Sequence, residues 1–169
     1  MLDTTASYSE VSAYFNYFNA DSAESMQKAL KELHSYVQQE GPYDGVLGYS
    51  QGAALAATYL ALQTSPPPFK CAVFLSGARP ADPTALEQGE LRLLDAEKDR
   101  VRLHIPTAHI WDTNDKFHPG ASDHLSLLCD PAVKQVYLHQ EGHNIPDGNA
   151  RAALLGLLGA IRRTIDKVE

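Results

Sequence analysis

The sequence has 169 residues, 44% of them hydrophobic and 21% charged, a composition typical of one globular domain with a substantial core. Its formal net charge of −7 disfavours nucleic acid as a partner, because phosphate backbones are bound through Lys and Arg. No apolar stretch is long enough to span a membrane, and neither a signal peptide nor paired cysteines are seen, so we expect a cytoplasmic protein without a membrane partner.

Helices and short apolar strands alternate along the first half of the sequence. Apolar residues repeat at spacings of three and four through residues 21–40, which predicts a helix. Asp21 with Glu24 resembles a capping box at its start. Residues 45–49 then predict a short apolar strand, and residues 51–63 predict a helix rich in alanine and leucine.

The second half continues this alternation. Strands are predicted at residues 70–75, 107–111 and 133–138, and helices at residues 120–129 and 149–165. We interpret the polar residues 77–100 as a lid or loop insertion with a short helix near Leu86 to Leu94. The sequence therefore predicts a single domain over residues 1–169, with an α/β fold in three layers (α/β/α) around a mostly parallel sheet of four clear strands.

Aromatic residues crowd into the N-terminal segment, residues 1–20, without a clear period. Tyr14, Phe15, Tyr17 and Phe18 are the last four of them. The simplest interpretation is an aromatic flap that packs over the core, where apolar residues usually lie. The alternative is that these four side chains line an apolar pocket.

Gly48-Tyr49-Ser50-Gln51-Gly52 matches the pattern G-x-S-x-G of a nucleophile elbow. In such an elbow the serine occupies a strained turn, and the two glycines avoid clashes with neighbouring backbone. The turn also aims the Gln51 amide at a developing oxyanion. Because the pattern follows an apolar strand and precedes a small-residue helix, Ser50 is the candidate nucleophile.

A serine nucleophile needs a histidine base and an acid that orients it, and in this architecture the chain order is serine, acid, histidine. Asp112 and Asp115 follow the third predicted strand, and both are candidates for the acid. His143 follows the fourth strand, and Gly142 before it permits a close approach. His139 and His143 form an H-x3-H pair without the helical context or third ligand of a zinc site, so we expect no metal and no cofactor.

We assign no catalytic role to four other histidines. His34 is predicted on the exposed side of a helix. His104, His109 and His118 flank the third predicted strand, and we interpret them as packing or hydrogen-bonding residues.

Residues 41–53, which contain the elbow, resemble the signature of the fungal serine hydrolase (FSH1-type) family of the α/β-hydrolase superfamily. Residues 106–115 and 141–146 resemble the acid and histidine segments of that family. The resemblance covers nearly the whole chain from about residue 20 onward, and its first motif is long enough to be specific.

The resemblance implies a role for each matching residue. Ser50 matches the nucleophile, Asp115 the acid and His143 the base. The family usually has glycine three positions before the acid, where this sequence has Asp112, so Asp112 stays as the alternative acid.

The resemblance also implies an N-terminal truncation. Family members begin with a strand and a Leu-His-Gly segment that supplies the second oxyanion amide, and this sequence has no such segment before Ser50. Only the Gln51 amide is then assignable to the oxyanion hole. The strand at residues 45–49 would become an apolar sheet edge, and such edges invite association. We expect the N-terminal segment or a second chain in a homo-oligomer to cover it.

These residues and the resemblance together predict a serine hydrolase that cleaves small carboxylic esters or thioesters through an acyl-enzyme on Ser50. The family resemblance extends this expectation to fungal secondary metabolism, with release of polyketide chains as one reaction. The alternative hypothesis is a protein that binds a small metabolite, or steers its cyclisation, on a truncated hydrolase scaffold without hydrolysis.

Overall fold

The alternation of helices and strands is present in the computed structural model, which describes residues 16–62, 65–99 and 103–168. Within these residues the strands are β1 (Gly45–Tyr49), β2 (Cys71–Leu75), β3 (Thr107–Trp111) and β4 (Lys134–Leu138). The helices are α1 (Ala23–Glu40), α2 (Gln51–Ala61), α3 (Pro83–Glu87), α4 (Ala96–Asp99), α5 (Ala121–Leu127) and α6 (Arg151–Ile165). None of the helices described is long and apolar enough to cross a membrane.

The strands form one parallel sheet in the order β1-β2-β3-β4. Every residue of β2 and β3 is buried, whereas β1 and β4 are partly exposed. Continuous burial of the two central strands requires cover on both faces, which explains why their sequences are apolar runs rather than alternating patterns.

Helices cover both faces of the sheet, as the sequence predicted. On one face, α1 and α2 contribute Met26, Leu30 and Leu60 to a core that also contains Phe74 of β2. On the other face, α6 packs against Val73, Leu75 and Ile110 through Leu157 and Ala160. The three-layer α/β/α fold is therefore confirmed.

The start of α1 differs from the predicted capping box. Ser22, not Asp21, is the N-cap, and its hydroxyl accepts a hydrogen bond from the Ser25 amide at 3.1 Å. The helix begins one residue later than the pattern of Asp21 and Glu24 required, and a serine oxygen satisfies the free amide equally well.

The predicted helix near Leu86 to Leu94 is wrong in its position. The helix in this region is α3, which begins after the Asp82 cap with Pro83 in its first turn. Gly89, at φ 81°, lies just beyond its end, and Leu93 then forms an antiparallel bridge with Ala81. Proline favours a helix start and a left-handed glycine favours its end, so these two residues place the helix earlier.

The outer edge of β1 pairs with no strand among the residues that the structure describes. Leu47, in the middle of β1, is 60% exposed. An apolar strand at the edge of a sheet is a template for association. The cover by the N-terminal segment or by a second chain stays a prediction.

For this edge we predict that the purified chain is a dimer by multi-angle light scattering and that Leu47→Lys makes it monomeric, because a charge on the edge opposes strand pairing. Hydrogen exchange at residues 45–49 is the second measurement, and it should be slow in the wild type. A monomer with slow exchange would favour cover by the chain's own N-terminal segment. A monomer with fast exchange there contradicts both kinds of cover.

Candidate active site

The candidate residues lie at the carboxyl edge of the sheet. Ser50 follows β1, Asp112 and Asp115 follow β3, and His143 follows β4. In a parallel sheet all strands end at the same edge, and loops after the strands therefore bring distant residues together there. This edge is where open α/β sheets bind their ligands.

Ser50 adopts a backbone conformation that residues other than glycine rarely adopt, with φ 52° and ψ −117°. Its amide donates to the Leu75 carbonyl at 2.9 Å, and its carbonyl accepts from the Ala78 amide at 3.1 Å. Strain of this kind costs about 1–3 kcal/mol and persists only where the surroundings enforce it. Here β2 and the loop after it enforce the turn.

The two elbow glycines have unequal steric roles. A Cβ at Gly48 would lie 2.6 Å from the Ala53 Cα and 2.7 Å from the Gly52 carbonyl oxygen, so backbone leaves no space for it. A Cβ at Gly52 would meet the Tyr17 ring at 3.3 Å. Tyr17 is 68% exposed and its side chain has room to move away. The close backbone approach is therefore a property of Gly48.

Ser50, His143 and Asp115 form a continuous hydrogen-bonded series. His143 Nε2 lies 2.9 Å from Ser50 Oγ, and His143 Nδ1 lies 2.6 Å from Asp115 Oδ2. Because an ionised carboxylate can only accept, Asp115 fixes the proton of neutral His143 on Nδ1. His143 Nε2 is then free to accept the hydroxyl proton of Ser50.

Asp115 is buried but remains an acid of low pKa. Burial by itself would raise the pKa of Asp115, yet hydrogen bonds from His143 and from the amides of Phe117 and His118 hold it below its ordinary value. The Phe117 amide donates to Oδ1 at 2.8 Å. The carboxylate is therefore charged at neutral pH and holds the His143 ring by a charge-assisted hydrogen bond.

Asp112 has a different position from Asp115. Its Oδ1 accepts from the Asn114 amide at 2.8 Å, and its Oδ2 accepts from the Gly142 amide at 2.8 Å. These amides, with that of Asn114 foremost, lower the pKa of Asp112 although burial opposes them. Asp112 thus holds the loop that carries His143, while the carboxylate that contacts the His143 ring is Asp115.

His118 lies beside the Ser50 hydroxyl, a placement that the sequence interpretation missed. Its Nε2 lies 3.3 Å from Ser50 Oγ, and its ring lies edge-on to His143 with centroids 5.3 Å apart. Burial, and then the neighbouring His143, lowers the pKa of His118, although Asp115 opposes this shift. The available signal was its place three residues after Asp115, in a loop at the same sheet edge.

Three other histidines make structural contacts. Burial lowers the pKa of His109 to about 3, and its Nε2 lies 3.2 Å from Thr107 Oγ1 in the core. His34 Nδ1 bonds the Tyr59 hydroxyl at 2.9 Å. His139 Nδ1 accepts from the Glu141 amide. Across residues 16–62, 65–99 and 103–168 no group of three or more His, Cys, Asp or Glu side chains is placed to hold a metal ion.

A cavity of about 530 Å³ opens beside Ser50. Most of its large side chains are apolar, and they are Phe18, Met26, Leu91, Leu93 and Phe117. Phe18 thus lines the cavity, as the second interpretation of the aromatic segment proposed, whereas Tyr17 lies over Gly52 instead. Tyr14 and Phe15 lie outside the described residues.

The side chain of Gln51 is bonded to the segment before α1, and its backbone amide lies beside Ser50. The side chain accepts from the Tyr17 amide at 2.9 Å and donates to the Phe18 carbonyl at 2.9 Å, so it anchors the segment before α1. The Gln51 amide belongs to the first turn of α2, where amides have no intrahelical acceptor. It is therefore available to an anion beside Ser50.

From these contacts we predict that Gly48→Ala loses about 3 kcal/mol of unfolding free energy and about 10 °C in Tm, because the new Cβ overlaps backbone. The matched control is Gly52→Ala, which should stay within about 1 kcal/mol of the wild type, since alanine favours a helix start and Tyr17 yields. Thermal and urea unfolding measure both. Equal stabilities for the two variants would contradict the close approach at Gly48.

Comparisons with known proteins show what this chain is similar to. The chain is similar to Esterase FPY3 of Fusarium mangiferae, at 39% identity over 133 residues that cover 77% of this chain and 61% of that protein. It is also similar to Hydrolase phiM of a fungal species, at 32% identity over 127 residues that cover 72% of this chain and 59% of that protein. The chain thus spans less than two thirds of either relative's length.

The fold resembles that of a carboxylesterase from Mesorhizobium loti, with a TM-score of 0.55, 18% identity, and coverage of 81% of this chain and 63% of that one. The model of the serine hydrolase (FSH1) family matches residues 3–152. The resemblance found in the sequence is therefore confirmed, and the chain belongs to the FSH1 family of serine hydrolases.

Proposed function

We propose that this chain hydrolyses carboxylic esters through an acyl-enzyme on Ser50. The observation that supports the proposal is the hydrogen-bonded series of Ser50, His143 and Asp115. His143 Nε2 lies 2.9 Å from Ser50 Oγ, and His143 Nδ1 lies 2.6 Å from Asp115 Oδ2. Such a series activates a hydroxyl that is otherwise a weak nucleophile at neutral pH.

In the acylation step Ser50 Oγ attacks the ester carbonyl carbon. The hydroxyl proton passes to His143 Nε2, and the carbonyl electron pair moves onto the oxygen. The His143 imidazolium then donates this proton to the departing alcohol. Water repeats the sequence on the acyl-enzyme, and Ser50 regains its proton. Asp115 keeps its charge throughout and stabilises the imidazolium.

The Gln51 amide is the oxyanion donor in this proposal. It belongs to the residue after the nucleophile, at the positive end of the α2 dipole. A donor placed before the reaction begins stabilises the developing charge by about 3 kcal/mol in enzymes where its loss was tested.

The cavity beside Ser50 supports substrates with an apolar acyl or alcohol group. Phe18, Leu91 and Phe117 offer it apolar surface, and burial of such surface contributes about 25 cal/mol per Å². We extend the proposal to small thioesters, and to the release of polyketide chains in the cytoplasm, as expected from the sequence and its family resemblance. Rates on matched oxygen esters and N-acetylcysteamine thioesters test the extension.

The first functional test is Ser50→Ala. We expect the wild type to hydrolyse p-nitrophenyl esters of acetate to octanoate and the variant to lose at least about 10⁴-fold in kcat, because the nucleophile is gone. A fluorophosphonate probe should label the wild type and leave the variant unlabelled. Equal rates in both proteins, without labelling, would favour the binding protein over the hydrolase.

The second functional test separates the two carboxylates. Asp115→Asn should lower kcat about 10³- to 10⁴-fold, because an amide no longer fixes the His143 proton, and should lower Tm as well, because the buried charge that anchors the loop is lost. Asp112→Asn replaces one acceptor of a loop amide, so we expect a lower Tm and a loss in kcat of about tenfold. Steady-state kinetics and thermal unfolding of both variants measure this. The reverse order of kcat losses would make Asp112 the acid.

A further inference from the structure

Two imidazoles lie against one hydroxyl in this site. Ser50 Oγ lies 2.9 Å from His143 Nε2 and 3.3 Å from His118 Nε2. The two rings are edge-on, with an interplanar angle of 69°. The acyl-enzyme mechanism above uses one histidine, so the second ring has a position that the mechanism does not explain.

The single hydroxyl proton of Ser50 determines the role of the His118 ring. Ser50 has one hydroxyl proton, and His143 takes it because Asp115 holds the His143 proton on Nδ1. A second acceptor at Oγ would find no proton there, and two lone pairs would face each other. His118 Nε2 therefore makes its contact with Oγ only as a donor, in the tautomer that carries hydrogen on Nε2.

We propose that His118 is a second catalytic imidazole, which donates its Nε2–H to Ser50 Oγ and stabilises negative charge on that oxygen. This inference rests on the proposed ester hydrolysis. His118 acts twice in each turnover. When Oγ attacks, the O–H bond breaks, the proton goes to His143, and the hydrogen bond from His118 strengthens as Oγ becomes more basic.

In deacylation the same contact assists the reverse step. The bond between Oγ and the acyl carbon breaks, its electron pair returns to Oγ, and His143 returns the proton. His118 donates to the departing oxygen and keeps its own proton. A donor aimed at an atom where charge develops lowers the barrier without becoming a reactant.

The surroundings keep His118 from acting as a competing base. Burial lowers the pKa of His118, and so does the neighbouring His143, which becomes a cation in the reaction. The opposing charge is Asp115, whose side chain already binds the His143 ring at 2.6 Å. The proton of Ser50 thus goes to the imidazole that has a carboxylate behind it.

The loop that carries His118 is fixed by the same carboxylate. Asp115 accepts a hydrogen bond from the Phe117 amide at 2.8 Å, and a hydrogen bond from the His118 amide helps to lower the pKa of Asp115. One side chain thereby positions the His143 ring directly and the His118 ring through the backbone. This shared anchor explains how both nitrogens reach one oxygen.

The test compares His118→Leu, which removes the donor, with His118→Gln, whose amide nitrogen restores a donor near the Nε2 position. On p-nitrophenyl acetate we expect kcat to fall about 10- to 100-fold in H118L with KM within about threefold, and to return to within about fivefold in H118Q. Fluorophosphonate labelling rates should follow kcat. His104→Leu, at a side chain 74% exposed, is the matched control and should behave as the wild type.

Nitrogen-15 NMR of the wild-type imidazoles tests the tautomer without any substitution. A His118 ring with hydrogen on Nε2 at pH 8 supports the proposal, and hydrogen on Nδ1 overturns it. Full activity in H118L, or no recovery in a folded H118Q, also overturns the role of His118 while ester hydrolysis stands. A wild type that neither hydrolyses esters nor takes the probe overturns the proposed function and this role with it.

Discussion

The strained backbone at Ser50 is the constraint on which the rest of the site depends. Its φ of 52° exists because Leu75 and Ala78 hold the amide and the carbonyl, and because Gly48 lets the first turn of α2 approach. The conformation costs about 1–3 kcal/mol, which the packing of β2 against β1 must offset. A sheet that formed without β2 in register would therefore have the serine but not the elbow.

The same type of backbone hydrogen bond joins neighbouring strands at this edge of the sheet, one residue past the strand ends. The residue after β1, Ser50, donates to Leu75, and the residue after β2, Ser76, donates to Ile110 at 2.8 Å. After β4, His139 donates to Trp111 at 3.0 Å. These bonds continue the strand pairing for one more residue, so the loops after the strands start at the same height along the strand direction. His143 can then reach Ser50 although two strands separate β1 from β4.

Local patterns were enough to predict the strands, the elbow and the family, because each is encoded by neighbouring residues. The choice between Asp112 and Asp115 needed three dimensions, since both follow β3 and differ only in which amides and rings the folded loops bring to them. His118 was missed for the same reason. Its place three residues after Asp115 indicated the sheet edge but not that Ser50, 68 positions away, lies beside its ring.

Asp115 connects the electrostatics of the site with the stability of the fold. Its pKa in the folded chain is lower than its ordinary value of 3.8, because its bonds to His143, Phe117 and His118 outweigh burial. A lowered pKa means that the ionised carboxylate stabilises the folded state above the unfolded pKa, and that this stabilisation is lost as pH falls through the folded pKa. Protonation would weaken the anchors of both imidazoles at once. One buried charge thus couples the two rings, and the arrangement around Ser50 persists only while that charge does.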